Sequence, residues 1–423
     1  MKIRRGKMEL LLILIVTMGL VYLFSSLLTE DIDHFGRLRK EEKGHTLMKA
    51  VTTEQTALFD MASERNTERL NMIRKQCSLL NEPKVEGLSA VRIRGLCNPD
   101  HSLLYCRVNK AASTFMGDIL TYMFDCPYEC LRNSFLELYR SPNKRTQEII
   151  DKAYSFMFVR EPYGRLFATY CNKFFFPKGF WTPVGTDIVK RFRENPSNDS
   201  LRYGHDVTFT ELIRYTIEEF EVGRKMDEHI VPMHRDCDVC GKRYDFIGKL
   251  ETLKSDLQFL ADEWESRNIS TRIPERISEK KIDSNNRPPM KFFLATLRRI
   301  KRSSINSYDL YERAWRYYQI TGDIAKHINM PYLRSYHNEI NFEEFLKQIN
   351  LAINTSKSNA IEIKSQKREA LLEAYSKVPL EYLYQLRKVV LKDCLLFGYD
   401  DRPEWLFNRK SNKDNISSFN YFS

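Results

Sequence analysis

The sequence predicts an α/β fold: a P-loop-like parallel sheet flanked by helices, behind an N-terminal transmembrane helix and a stem, with a helical insertion. Three observations predict the sheet. Tyr154–Val159 (YSFMFV) is a near-continuous apolar run, which suits a strand covered on both faces. Residues 103–115 (LLYCRVNKAASTF) read as an apolar strand to Val108, a tight polar turn from Asn109 to Ala112, and a helix opened by Ser113 and Thr114. Residues 244–248 read as a third strand, with a helix over 254–264 behind it.

The N-terminus comes first in chain order. Lys2, Arg4, Arg5 and Lys7 precede residues 10–28, an uncharged and mainly apolar run, and Glu30, Asp31 and Asp33 follow it. About 20 apolar residues span a bilayer as a helix. A secretory signal core is shorter and ends in a small-residue cleavage site, which Tyr22 to Ser26 does not resemble. The expectation is an uncleaved signal anchor. Residues 1–9 then form a cytoplasmic tail, because basic flanks stay inside, and the bulk of the chain is lumenal. Sequons at Asn198, Asn268, Asn354 and Asn415 all follow the anchor. Nine cysteines suit an oxidising compartment.

Residues 29–95 read as a stem, rich in Glu, Arg, Lys and Thr. Residues 57–80 within it have helical periodicity and could pair with a second copy. Cys77 is then a candidate intermolecular bridge or a free thiol, and a homodimer through the stem is one expected partner state.

From Cys97 the composition is globular. The first helix runs to about Phe124, with Phe115, Ile119, Leu120 and Met123 on one face. Cys126 and Cys130 flank a Pro-Tyr turn, and a polar connector over 139–145 leads to a short helix. After the Tyr154–Val159 strand comes Arg160-Glu161-Pro162, then a helix over 163–175. Residues 174–206 are a loop-rich stretch with many aromatics, and 208–220 an amphipathic helix. Residues 226–240 (MDEHIVPMHRDCDVC) concentrate acids, histidines and cysteines. Residues 265–360 are basic and polar, with Arg298, Arg299, Lys301 and Arg302 clustered, and read as a helical insertion. Helices over 365–377 and 380–397 close the domain. The tail at 404–423 is expected to be mobile.

The strand-turn-helix at 103–115 is a ready anion site. The first N–H groups of a helix are unpaired, and its dipole favours negative charge there. Lys110 adds a charge, and Ser113 and Thr114 add hydroxyls. Ligands in open α/β sheets sit outside the carboxyl ends of strands, which puts Arg160 on the same sheet edge. The net charge of +11 also favours an anionic partner or substrate; no nucleic acid is expected. No GxxxxGK[ST], strand-linked GxGxxG or HExxH occurs. Cys126, Cys130, Cys237 and Cys240 could hold zinc, but disulfides fit a lumenal chain better, and no metal is expected.

At these residues the chain resembles the Golgi carbohydrate sulfotransferases of the HNK-1 and chondroitin/dermatan 4-O-sulfotransferase group. CRVNKAAST resembles that family's 5′-phosphosulfate loop. FVREPYGRLFATYCNKF resembles its 3′-phosphate motif, FVRxPxxRLxSAYxNKF. DEHIVPMHRDCDVCGKRYDFIGKLETL resembles its DEHW…C..C…YDFVGKxETL block. With the last helix the resemblance covers about 97–400, apart from the insertion.

The resemblance implies a sulfotransferase catalytic domain over 96–403 and the co-substrate 3′-phosphoadenosine-5′-phosphosulfate. Lys110 and the backbone of Ala111, Ala112, Ser113 and Thr114 would hold the 5′ phosphosulfate, with Arg107 at the mouth. Arg160 would bind the 3′ phosphate. The family serine that shares it falls at Ala168, so Thr169 is the nearest substitute, although one helical step rotates it by about 100°. Lys110 and His229 are the expected catalytic residues, with His205 and Glu228 as alternative bases. The acceptor would be a hydroxyl of a glycan: a glycosaminoglycan such as chondroitin or dermatan, or a glycoprotein glycan. The protein would be a single-pass type II Golgi membrane protein. Two rivals remain. Asp236-Cys237-Asp238 could bind Mn²⁺ in a Golgi glycosyltransferase, and Ala168 allows a non-catalytic glycan-binding relative.

Overall fold

The computed structural model describes residues 43–80, 94–140, 143–179, 181–269, 290–336, 340–357, 360–408 and 419–422. The cytoplasmic tail, the anchor at 10–28 and the sequon at Asn415 lie outside the described residues. Among the described residues no helix is long and apolar enough to cross a membrane. The chain divides into two compact units, residues 1–64 and 65–423. In the first, the described residues are the start of one helix, Lys43–Leu79.

The second unit is built on a four-stranded sheet in the order β1 (Gly95–Cys97), β2 (Leu103–Cys106), β3 (Tyr154–Val159), β4 (Phe246–Lys249). β2, β3 and β4 are parallel, with Leu103 opposite Tyr154 and Phe156 opposite Phe246. β1 runs antiparallel on the outer edge, an element its three residues do not announce. Every residue of β2 and β3 is buried, as their unbroken apolar runs require. β2 ends at Cys106, short of the predicted Val108, and the Arg107 amide beyond it still donates to the Arg94 carbonyl at 2.8 Å.

Helices cover both faces. Ser113–Phe124 buries Phe115, Ile119, Leu120 and Met123, the face its spacing predicts. The helix after β3 is helical in the ordinary sense only over Pro162–Tyr170, then widens into a π-helical turn, Cys171–Phe175. Glu161 caps its start by accepting the Tyr163 and Gly164 amides.

Residues 65–79 belong to the globular unit rather than to a free stem. β4 is the open sheet edge, and Asn66 closes it: its amide group donates to the Asp245 carbonyl at 2.9 Å and accepts the Ile247 amide at 3.2 Å. Arg69 donates to the Ile247 carbonyl and to Asp256. Cys77 is disulfide-bonded to Cys240 of the same chain, so it is neither a free thiol nor a bridge to a second copy. Cys106 pairs with Cys237 and Cys126 with Cys130, which leaves no four-cysteine set for zinc. Cys97, Cys171 and Cys394 are buried thiols.

The segment expected as a solvated basic insertion carries part of the main core. The helices Met290–Ile300, Ser307–Thr321 and Phe342–Ser356 supply Phe293, Trp315 and Phe345, packed with Phe176, Tyr317 and the closing helices. Arg298 and Arg299 are exposed, while Arg313 turns inward over the Phe175 and Trp181 rings, and a charge count hides the aromatic stripe beneath. The tail is also docked where it is described. Tyr421 is fully buried, its amide on Glu373 at 2.7 Å and its hydroxyl on Glu369 at 2.9 Å.

Candidate functional site

The three parallel strands end on one edge, and the charged residues predicted there meet there. The turn after β2 is conformationally unusual: Lys110 and Ala112 both have left-handed backbones, at φ 69° and 60°, without being glycine. Such residues cost of order 1–3 kcal/mol each and persist only where surrounding structure holds them. Two arginines hold this turn. Arg107 donates to the Asn109 side chain at 3.0 Å and to the Tyr128 hydroxyl at 2.7 Å. Arg165 donates to the Asn109 carbonyl at 2.9 Å. Arg107 is therefore a brace of the loop, with its guanidinium already engaged.

The helix that follows has no side-chain cap at its N-terminus. Its first amides, from Ser113 onward, face the end of the turn, which is the arrangement that binds anions. Ser113 is buried and Thr114 exposed. Lys110 is half-buried and its amine donates to the Asn172 side-chain oxygen at 2.6 Å. Arg160, at the end of β3, donates to the Lys110 carbonyl at 3.2 Å, so the two predicted anion ligands share one turn.

The electrostatics identify two residues that sequence reasoning missed. Burial, then Lys173, Lys178 and Arg160, hold the Lys110 amine well below the usual lysine range. Burial and Lys173 push Lys178 down to about 8. Burial, and then Arg107, depress Lys173, with Asp227 acting the other way. A group of amines that disfavour one another's charge is a site preorganised for an anion. Lys173 lies in the quoted NKF stretch and Lys178 four residues beyond it. The π-helical turn, which no spacing rule predicts, carries Lys173 into the group.

His229 is brought to the same site. Its ring Nδ1 and its backbone amide both bond Asp227 Oδ1, at 2.7 and 2.9 Å. Burial leads in holding the ring down to about 4, with Lys173 and Lys110 adding to it and the Asp227 bond opposing it. Asp227 is held below its ordinary value by those His229 bonds and by Lys173, although burial opposes them. The pair is thus a carboxylate and a neutral imidazole protonated on Nδ1, which leaves Nε2 as the basic nitrogen.

Several expected residues fall elsewhere. Thr169 is fully buried, and its hydroxyl donates to the His229 carbonyl at 2.8 Å and the Arg165 carbonyl at 3.2 Å. It cannot replace the family serine as an anion ligand, because the one-step rotation turns it inward while Ala168 stays half-buried. Glu228 is ion-paired with Arg94. His205 packs edge-on against Trp181, and its carbonyl takes Arg313. Asp236 is buried, with burial raising its carboxyl to about 6, and Asp238 accepts the Gly241 amide. Among the described residues no group of three His, Cys, Asp or Glu could hold a metal ion. Asn198, Asn268 and Asn354 are exposed.

Comparison with known proteins follows this geometry. The family model of the sulfotransferase family matches residues 94–319. Carbohydrate sulfotransferase 14 of Danio rerio is 32% identical over 221 residues, covering 49% of this chain and 59% of that protein. Carbohydrate sulfotransferase 11 of Rattus norvegicus is 33% identical over 178 residues, 38% of this chain and 50% of that protein. Carbohydrate sulfotransferase 8 of Mus musculus is 33% identical over 175 residues, 38% of this chain and 40% of that protein. The chain thus spans about half the length of the curated relatives it matches. No solved structure matches.

Proposed function

The chain belongs to the sulfotransferase family, and we propose that it transfers a sulfuryl group from 3′-phosphoadenosine-5′-phosphosulfate to a hydroxyl of a glycan. The observation that carries this is the shared turn: an uncapped helix N-terminus with Lys110, tied directly to Arg160 at the next strand end. Two anion ligands on one sheet edge suit a donor with phosphate at both ends. The residues present fit that donor, since the cations around Lys110 outnumber the carboxylates opposing them. The relatives' names support a carbohydrate acceptor.

Lys110 and the amides of Ala111 to Thr114 hold the 5′ phosphosulfate, and the guanidinium of Arg160 holds the 3′ phosphate. Transfer is in line. The S–O bond to the 5′ phosphate breaks as the S–O bond to the acceptor forms. Lys110 stabilises the charge that builds on the leaving phosphate. His229 Nε2 takes the acceptor proton, and Asp227 holds the ring and steadies the imidazolium. Lys173 and Lys178 add positive potential on the side of this pair.

The proposal extends to place. The apolar run at 10–28, its basic flank, the exposed sequons and the disulfides support a type II chain with its catalytic unit in the Golgi lumen. The experiment is calorimetry with 3′-phosphoadenosine-5′-phosphate, followed by radiolabelled-sulfate transfer to a panel of desulfated glycosaminoglycans and glycoprotein glycans. Absence of nucleotide binding would overturn the proposal. Binding without transfer to any acceptor would favour the non-catalytic relative that Ala168 motivates.

A further inference from the structure

Arg165 and Thr169 sit four residues apart on the Pro162–Tyr170 helix and so share one face. Arg165 is only 5% exposed. Its guanidinium spends its hydrogen bonds on backbone: Nε on the Asn109 carbonyl at 2.9 Å, Nη1 on the Val231 carbonyl at 2.7 Å, and Nη2 on the Glu228 carbonyl at 3.2 Å. Asn109 opens the turn that carries Lys110. Glu228 and Val231 bracket His229. Thr169 then donates to the carbonyl of His229 itself at 2.8 Å.

Among the described residues no carboxylate accepts a hydrogen bond from Arg165. Burial pulls the guanidinium below its usual range, and Asp236 and Asp393 oppose that only through space, so the charge is held at a cost that packing a helix on a loop does not require. The planar fork reaches three carbonyls on two separate loops at once, which an ammonium or an amide cannot do. The arrangement holds two loops in register with each other, with the helix as the rigid reference.

Resting on the function proposed above, we infer that Arg165 and Thr169 are positioning residues that set the base, His229, against the anion turn of Lys110. Arg165 fixes the spacing of the two loops. Thr169 fixes the third point of His229, whose amide and ring are already held by Asp227. Neither touches substrate. Loss of the Thr169 hydroxyl leaves the donor's ligands in place and lets the imidazole shift relative to them, whereas loss of Arg165 loosens both loops.

The test compares Thr169→Val, which keeps the shape and removes the hydroxyl, with Thr169→Ser, which keeps the hydroxyl. NMR titration of the His229 ring is read without any ligand, and wild type is expected to titrate at about 4. In Thr169→Val the loosened ring gains water and titrates about one unit higher. Turnover falls about tenfold, while affinity for 3′-phosphoadenosine-5′-phosphate stays within about twofold. Thr169→Ser restores titration and turnover, and Arg165→Lys raises the titration and lowers turnover likewise, with a smaller fall in nucleotide affinity because it also frees the Asn109 carbonyl. Should Thr169→Val fail to fold, Thr169→Ala carries the same expectation without a second methyl to accommodate. An unchanged titration and turnover in a folded variant overturns the inference, as does nucleotide affinity falling in step with turnover. Because the titration needs no donor, failure of wild type to bind nucleotide would sink the proposed function and still leave the positioning decided.

Discussion

The amine of Lys110 is aimed by an amide: Asn172 Oδ1 accepts from it at 2.6 Å, and Asn172 Nδ2 in turn donates to the Tyr317 hydroxyl at 3.3 Å. The partner is neutral, so it does not offset the burial and the neighbouring cations that disfavour the ammonium, and leaves that role to an anion. Asn172 reaches this position from the π-helical turn Cys171–Phe175, and the extra residue per turn sets its direction. Tyr317 comes from the segment that the sequence presents as an insertion.

Replacing this amide by a carboxylate should therefore disable the site without touching the fold. Asn172→Asp is expected to lower affinity for 3′-phosphoadenosine-5′-phosphate at least as much as Lys110→Ala or Arg160→Ala. Each of these should cost about 1.5–3 kcal/mol, or roughly 10- to 100-fold in Kd. Calorimetry measures it, and thermal melts within a few degrees of wild type separate it from unfolding. Near-normal affinity in Lys110→Ala would show that the turn is not the anion site.

The His229 ring links pH, stability and ligand. Its folded value of about 4 lies below the ordinary 6.5. As pH falls, the unfolded chain takes up the proton first. The stabilisation is complete above about 6.5 and declines down to about 4, by on the order of 3 kcal/mol. Asp236, raised to about 6, acts oppositely: its contribution is present below the ordinary 3.8 and is lost as pH rises through 6. Denaturant unfolding across pH 4–7 in wild type and His229→Gln isolates the first effect. An anion on Lys110 cancels part of the repulsion that depresses the ring. Binding of 3′-phosphoadenosine-5′-phosphate should therefore raise the His229 titration midpoint, and a midpoint that falls or stays fixed contradicts the site.

Ala168 offers a gain of function. The position is half-buried, on the helix that follows Arg160, where the family pattern has serine. Ala168→Ser should tighten nucleotide binding by up to about tenfold, the worth of one hydrogen bond to a charged group. No change in Kd would mean that the hydroxyl cannot reach the anion bound by Arg160.

The helical stretch from Arg65 is structural, and its removal should be felt at the sheet. Arg69 and Asp256 form a buried pair at 2.8 Å, with side-chain exposures of 11% and 2%. Arg69→Ala leaves Asp256 only the longer pair with Arg65, at 3.8 Å, and should cost about 3 kcal/mol in urea unfolding, the low end for a broken buried pair. Cys77→Ser opens a bridge between residues 163 apart and should cost about 2–4 kcal/mol. Both proteins should run as one chain on a non-reducing gel. A covalent dimer that disappears in Cys77→Ser would contradict the within-chain bond.

Much of the site is legible because strand ends in a parallel sheet are local events. An apolar run followed by a polar turn puts Lys110 at an edge, and Tyr154–Val159 does the same for Arg160. What was not legible depends on long-range contact. Arg165 reads as one more helical arginine until Asn109 and Val231 are seen beside it. Thr169 reads as a spare hydroxyl until helix rotation turns it toward His229. Lys173, in the predicted helix, and Lys178, in the loop-rich stretch after it, carry no signal of their meeting, since charge spacing says nothing about which amines share a pocket.

The sequence by itself determined the parallel sheet, the helical faces, the anion turn and the acid-histidine block. Each follows from short-range periodicity or from residues adjacent in the chain, where steric and hydrogen-bonding preferences act within a few residues. Only the tertiary structure decided the pairing of Cys77 with Cys240, the closing of β4 by Asn66 and the absorption of the helices Met290–Ile300, Ser307–Thr321 and Phe342–Ser356 into the core. It also turned Thr169 inward, onto the His229 carbonyl. These outcomes depend on which distant surfaces exclude water together, and burial of that kind has no local signature.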